Sequence, residues 1–471
     1  MRIINTQTTD LKSLSGVDSE WVYNGLDCAV TAEVLDVLLP QLDTITRATY
    51  DFSRALQGPV FDMGLRGVLI DKDRRDEVVE KYGDQLEKLE HQLDMLVGGV
   101  TGIVGFNWRS PKQLSSLFYD TYGIKEIKNR DGNRTVNQAA LEKLKEYELA
   151  YPIVKYMERM RELGKLISVL KTELDHDGRI RTSYNIAGTS TGRFSSSFSE
   201  FGTGTNLQNI DPLLRSIFIA DKGMKLANFD AAQGESRIVG AIEWNLFHDG
   251  KYLDACETED VHMTVANMCG LGPKDRQVCK IIGHGSNYGG KPDTLSTQAA
   301  NHGVFILPPA VQKFQNRYFR VFPAHRMWHA WVEQQIQHYG WLISLTGRKR
   351  YFFGRRDNPD TLRKAIDYDP QGSLADIVNQ GMLRVWSAND CQLLMQNHDS
   401  ILVQYPEEME DEIVPKVQAQ LFNEVPLKYG RTLVMPYDCE VGWNWGKHGE
   451  DNPDGLKKYR PGDKRTRTAE V

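Results

Sequence analysis

Residues 276 to 290 read RQVCKIIGHGSNYGG, which sets Arg276, Lys280, His284 and Tyr288 at intervals of four. On an α-helix such residues share one face, and these four would form a stripe about 18 Å long. The stripe passes from two strong cations through a titratable ring to an aromatic, and Gly289 and Gly290 close it. Arginine grips phosphate through its planar fork, and lysine does so as a point charge. The aromatic end can stack on a base or sugar, and the glycine pair permits close backbone approach there. A nucleoside triphosphate suits such a ruler. A solvated basic helix face is the competing reading.

Two aspartates supply the complementary chemistry. MKLANFDAAQ ends an apolar run at Asp230, and QLLMQNHDSILVQY carries Asn397-His398-Asp399-Ser400 between two apolar runs, a hairpin signal with an aspartate at its tip. An aspartate at a strand end usually serves a turn or a cap. Two that converge from separate strands would instead bind hard divalent ions. Magnesium takes few carboxylates and keeps waters and phosphate oxygens. Two such ions about 4 Å apart can activate an attacking oxygen and stabilise a leaving one.

These residues need a scaffold, and 471 residues exceed one hydrophobic core, so roughly two to four domains are expected. With 40% apolar and 25% charged residues the composition is that of a globular protein. A net charge of −6 argues against a general basic coat but leaves room for a local basic channel. The six cysteines form no CxxC pair, as expected of reduced thiols. No apolar run approaches the roughly 20 residues of a membrane span, and the start MRIINTQTTD has no apolar targeting segment. The expectation is a soluble cytoplasmic protein with no membrane partner.

From 75 to 97, Val79, Tyr82, Leu86, Leu89, Leu93 and Leu96 alternate spacings of three and four, which predicts an amphipathic helix. A second helix, rich in Lys and Arg (Lys155, Arg159, Arg161, Lys165, Lys171), is predicted over 152–172. Ser110-Pro111 between them reads as a helix start. The pair suggests an arm, or simply a helical hairpin with a charged face. The tail after Trp445 carries Lys457, Lys458, Arg460, Lys464, Arg465 and Arg467 among Gly, Pro and Asp, and is predicted to be disordered.

The order of the segments carries a resemblance. DAAQGESR (230–237), RQVCKIIGHGSNYGG and QNHDS resemble, in order and spacing, the three polymerase motifs of the family A, DNA polymerase I-like enzymes. TSTGRFSSSFSEFGTGTNLQNI, DVHMTVANMCG, GWLISLTGRKRYF, RKAIDYDPQGSLADIV and VGWNWGK are similar to further family elements, so the likeness runs from about 20 to 447. It implies an α+β right-hand fold. The segments would be an exonuclease-like remnant (1–45), a thumb (46–178), palm (179–240), fingers (241–379), palm again (380–449) and a basic tail (450–471). It implies a DNA-templated DNA polymerase acting on primer-template DNA and dNTPs with two Mg2+ ions. Asp230, Asp399 and the carbonyl of Ala231 would hold the metals. Arg276, Lys280, His284, Tyr288, His262, Gln233 and Glu235 would bind the dNTP. Lys280 would protonate departing pyrophosphate, and Glu235 would crowd the sugar 2′ position. Arg193, Gln371, His398, Arg363, Asn206, Gln208, Ser110 and Lys112 would contact primer and template.

Three departures qualify that likeness. The residue after Asp399 is Ser400 where the family normally has glutamate, so the site has one carboxylate fewer. VYNGLDCAVTAEV supplies Tyr23 and Asp27 of a nuclease's closing helix, but no earlier D-x-E carboxylates. One aspartate cannot build a two-metal nuclease. The implied protein lacks intrinsic proofreading, with a separate exonuclease chain or other replisome proteins as candidate partners and a phage-like replicator as its setting. Third, His284 stands where the family usually has Phe or Tyr. It can pack on the sugar, bond to its 3′-hydroxyl or a phosphate, or simply fill space. A non-catalytic primer-template-binding subunit and a palm-fold RNA polymerase or reverse transcriptase are the alternatives; Glu235 and the NLQNI segment count against the latter.

Overall fold

The structure is a computed structural model that describes residues 10–468 except 130, 259 and 464. Its first long helix, α1 (Gly16–Leu38), carries Tyr23 and Asp27 and buries none of its residues. The periodicity over 75–97 belongs to α2 (Lys72–Thr101). Asp71 starts it by accepting from Arg74 N at 2.9 Å, and Gly102, at φ 71°, stops it. The base of α2 (Val78, Val79, Tyr82) packs on a core built around Val68, Leu214, Phe218 and Trp445. Its far half (Leu86, Leu89, Leu93, Val97) packs on Met157 and Met160 of α3 (Tyr151–Leu170) and on Trp108, Leu117 and Phe118. One helix therefore spans two cores, and the second core forms an arm standing off the first.

The sheet comes next in the chain. β1 (Met224–Ala231) leads into α4 (Gly234–Phe247), then α5 (Val261–Met268), an irregular helical segment over 276–287, α6 (Pro308–Val321), α7 (Ala324–His338) and the long α8 (Pro359–Ala388). The chain then returns to the sheet through β2 (Gln392–Asn397), β3 (Ser400–Pro406), β4 (Tyr437–Gly442) and β5 (Lys457–Lys458). The strand order is β5-β4-β1-β3-β2, antiparallel throughout. Strand alternation splits β1 between two cores: Ala227, Phe229 and Ala231 face the large cluster, and Leu226 faces the smaller one. Asp230 shares the parity of Leu226, so it ends the strand on the face turned away from the large core.

That large cluster joins β1, β3 and β4 to α4, α6, α7 and α8 without a break. The expected segment boundaries at 240/241 and 379/380 fall inside α4 and α8, so sheet and helical lobe share one core rather than owning two. No described helix is long and apolar enough to cross a membrane.

The tail departs from its expectation. Leu456 is 4% exposed, and β5 pairs with β4 through Glu440 with Lys458 and Val441 with Lys457. Arg465 donates to the carbonyls of Val441 (3.1 Å), Pro453 (2.5 Å) and Gly455 (3.1 Å), and Thr468 N donates to Asp454 Oδ1 at 2.9 Å. A composition of Gly, Pro, Asp and cations reads as disorder, but a sheet edge with free carbonyls gives those cations acceptors. The expected disordered tail is thus ordered over its described residues; Lys464 lies outside them.

Candidate active site

Asp230 and Asp399 are brought together by the sheet register. The β2–β3 hairpin turns through His398, whose φ of 56° is the left-handed conformation that a tight turn needs. Ala231 N donates to Asp399 O at 3.0 Å, locking that turn against the end of β1. Ser400 and Asp438 are the register partners of Asp230 on its two sides, so all three lie on one face. Asp230 keeps contact with solvent, yet burial first, then the charges of Asp399, Asp438 and Glu440, raise its pKa to about 7. Burial also raises Asp399. Arg215 near Asp230 and Arg193 near Asp399 oppose these shifts only in part, so the cluster remains one of mutually repelling carboxylates. Among the described residues no group of three or more His, Cys, Asp or Glu is placed to hold a metal ion, so the side-chain donors a cation could meet here are the two carboxylates Asp230 and Asp399. That set suits a hard ion that takes the rest of its shell from water and phosphate.

The stripe of Arg276, Lys280, His284 and Tyr288 lies on one helical segment, but not on a regular α-helix. A π-helical turn occupies Cys279–Gly283, between short α-helical pieces at Arg276–Val278 and His284–Asn287. Arg276, Lys280 and His284 remain exposed, while Cys279, Ile282, Gly283, Ser286 and Asn287 are buried on the other side. The wider turn is a common device at functional sites. Arg276 Nε donates to Asp260 Oδ2 at 2.6 Å, and Asp260 also caps α5 through Met263 N. His262 sits within reach of Arg276, Lys280 and His284; burial, then Arg276, push its pKa down to about 4, leaving a neutral ring. The His284 and Tyr288 rings meet edge to face, 5.2 Å apart.

Glu235, in the first turn of α4, ties the two groups together. Its Oε1 accepts from Arg193 Nη2, its Oε2 accepts from Tyr288 Oη at 2.5 Å, and His284 Nε2 lies 3.6 Å from Oε2. Arg193 also bears on His398, Asp399 and Asp367. Gln371 projects from α8 one residue before Gly372, where a Cβ would lie 2.9 Å from Thr191 O; the 189–193 loop therefore lies directly against this helix. Gln233 takes the left-handed conformation (φ 57°) that turns β1 into α4, and its Oε1 is buried without a partner.

The profile of DNA polymerase family A matches residues 72–447. That covers most of the chain. The chain belongs to DNA polymerase family A. Relatives of this family A chain include a thermostable DNA polymerase I of Thermus filiformis, 29% identical over 427 residues covering 83% of this chain and 47% of that protein. The DNA polymerase I of Deinococcus radiodurans is 28% identical, covering 91% of this chain and 45% of its own length. The chain spans about half the length of these relatives. Among solved structures, the POL domain of Pol1 from M. smegmatis, in complex with DNA primer-template and dNTP, matches with a TM-score of 0.69 at 25% identity. That match covers 83% of this chain and 69% of the other, and it shows the right-hand α+β fold of the family.

In this family A chain some expected contact residues turn inward. Gln208 is 6% exposed and donates to Gln396 Oε1 at 3.0 Å. Asn206 accepts from Gln208 N (3.0 Å) and Ser196 Oγ (2.6 Å). Gln208 thus braces the β2 strand, whereas Asn206 uses its Oδ1 to hold this loop and stays half-exposed. Ser110 caps the short helix Pro111–Ser115 by accepting from Gln113 N at 3.4 Å; Lys112 beside it is exposed, at the arm. Arg363 is exposed and donates to Asp360 Oδ1 at 2.7 Å. Sequence reasoning missed Asp367, whose pKa burial raises to about 6 beside Glu235, Arg193 and Arg363. The signal was available: Arg363, Asp367 and Gln371 recur at intervals of four on α8, as on the first ruler. It also missed Asp438 and Glu440, which only strand pairing brings beside Asp230.

Proposed function

We propose that this chain is a DNA-templated DNA polymerase that adds dNTPs to a primer 3′-hydroxyl. One observation carries the reading: Glu235 bonds to Tyr288 of the cationic stripe and lies on the turn that follows Asp230. A sugar-sized gate therefore stands between a phosphate ruler and a carboxylate pair. In this reading Asp230, Asp399 and the Ala231 carbonyl hold two magnesium ions, which supply Lewis acidity at the α-phosphate. Arg276 exchanges Asp260 for the triphosphate, a swap of one anion for another that retains its charge-assisted bonds. Lys280 neutralises the β- and γ-phosphates and gives a proton to departing pyrophosphate. Neutral His262 donates a hydrogen bond without adding charge. Glu235, held by Arg193 and Tyr288, presents its stem to the sugar C2′ and excludes a 2′-hydroxyl.

Arg193, His398, Arg363 and Gln371 line the adjoining path for primer and template edges. Beyond them, the exposed rings of Tyr351 and Phe353 offer stacking surface beside half-buried Lys349, and Ser110 and Lys112 offer a backbone contact from the arm. The QNHDS segment has Ser400 in place of a second carboxylate, but two convergent carboxylates favour catalysis over a non-catalytic binding subunit. Primer extension with dNTPs and Mg2+ tests the reading. Extension of a templated primer that fails in Asp399→Ala supports it; no extension by the unaltered protein refutes it.

A further inference from the structure

Asn287, the residue before Tyr288, is 1% exposed, and both ends of its side chain are held. Its Nδ2 donates to Tyr252 Oη at 2.9 Å, and its Oδ1 accepts from Tyr318 Oη at 2.6 Å. The Tyr318 hydroxyl also lies 3.0 Å from His325 Nε2, within hydrogen-bond distance. The other ring nitrogen, Nδ1, meets Glu243 Oε1. His325 is 0% exposed and Glu243 1%. One turn along α7, His329 Nε2 bonds to Asn287 O at 2.7 Å. Burial lowers the His329 pKa to about 4, so its ring is neutral and Nε2 carries the proton that the carbonyl accepts.

These contacts form a closed circuit. It leaves α4 at Glu243, crosses α7 at His325 and α6 at Tyr318, reaches Asn287, and passes along the backbone to Tyr288. Tyr288 Oη then returns it to α4 at Glu235, two turns before it began. Both ring nitrogens of His325 and both ends of the Asn287 amide are in contact with buried polar partners, so a change of proton placement at one is passed to the others. A buried polar chain of this kind holds its geometry strictly, because a partly satisfied network is costly. Its sealed end is remote from solvent, and its open end is the sugar gate.

We propose that Glu243 and His325 are a positioning pair for nucleotide-sugar selection: through Tyr318 and Asn287 they fix Tyr288 against Glu235. The inference rests on the polymerase reading. Neither residue touches substrate, so the readout must separate selection from folding. The test compares kcat and KM for a dNTP and its matching rNTP, with Tm, in the unaltered protein, His325→Val, His325→Gln, Tyr288→Phe and His325→Val/Tyr288→Phe. The preference for dNTP should fall about tenfold in His325→Val, through the rNTP terms, because Tyr318 loses its buried partner. His325→Gln, which can still bond to Tyr318, should recover part of it. The double variant should lose no more than Tyr288→Phe alone. Unchanged preference in folded His325 variants, or independent losses that multiply in the double variant, would overturn the proposal alone. Should His325→Val not fold, His325→Gln and Glu243→Gln carry the same comparison. If the unaltered protein extends no primer, the polymerase reading falls and this inference falls with it.

Discussion

At the scale of single residues, the carboxylates give the sharpest expectations. Asp399→Ala removes one of the two carboxylates proposed to hold the metal ions and should lower incorporation about a thousandfold or more. Ser400→Ala removes only a hydroxyl that donates to Asn397 O at 3.1 Å and should cost little. Single-turnover incorporation rates of the two variants check this ranking. Asp230 adds a pH dependence. Its pKa of about 7 in the folded protein exceeds the ordinary 3.8, so between those values the native state holds a proton that the unfolded chain has released. Stability of the metal-free protein should therefore fall as pH rises from about 4 to about 7. Magnesium should raise Tm more at pH 8 than at pH 5.5, and Asp230→Asn should flatten the slope; melting curves across pH measure all three. Both aspartates were legible in the sequence because each ends an apolar run. Asp438 was not, because only the register of β4 on β1 brings it to the site. Gln208 was misread for a related reason: a polar residue in a polar loop gives no sign that its partner is a strand nearly 190 positions away.

At the scale of elements, helices were legible where burial is periodic. The spacing over 75–97 found α2, and the segment 152–172 coincides with α3 to within two residues. The 276–287 segment kept its stripe but not its expected geometry, since the sequence CKIIG does not announce a π-helical turn. Two helix glycines show how packing overrides propensity. At Gly240 of α4 a Cβ would lie 2.7 Å from the Leu253 backbone, whereas at Gly164 of α3 nothing lies within 4 Å. Gly164→Ala should stabilise by about 0.5–1 kcal/mol, the ordinary helix preference. Gly240→Ala should destabilise by about 1–3 kcal/mol despite that preference. Chemical denaturation of the two variants should show opposite signs.

At the scale of the whole molecule, the order of short motifs made the fold legible, and the shared core explains why boundaries were not. The large cluster runs from the sheet through α4 and α8 into the helical lobe, so no composition change marks the passage. The arm is different: it has its own core, reached by one long helix, and while Lys155 and Arg159 pair with Glu158 and Glu162, Arg161, Lys165 and Lys171 of the same segment make no ion pair among the described residues. Duplex binding should therefore draw on these unpaired cations and weaken as salt rises, with a slope that grows with the number engaged, which titration between about 50 and 200 mM would register.

The central claim is that a sugar gate joins a phosphate ruler to a two-carboxylate metal site for templated DNA synthesis. Primer extension on a defined template, with magnesium and either dNTPs or rNTPs, tests it most directly. Extension dictated by the template is expected with dNTPs, little with rNTPs, and none in Asp399→Ala. Extension with rNTPs as readily as with dNTPs, or undiminished extension by Asp399→Ala, would contradict it.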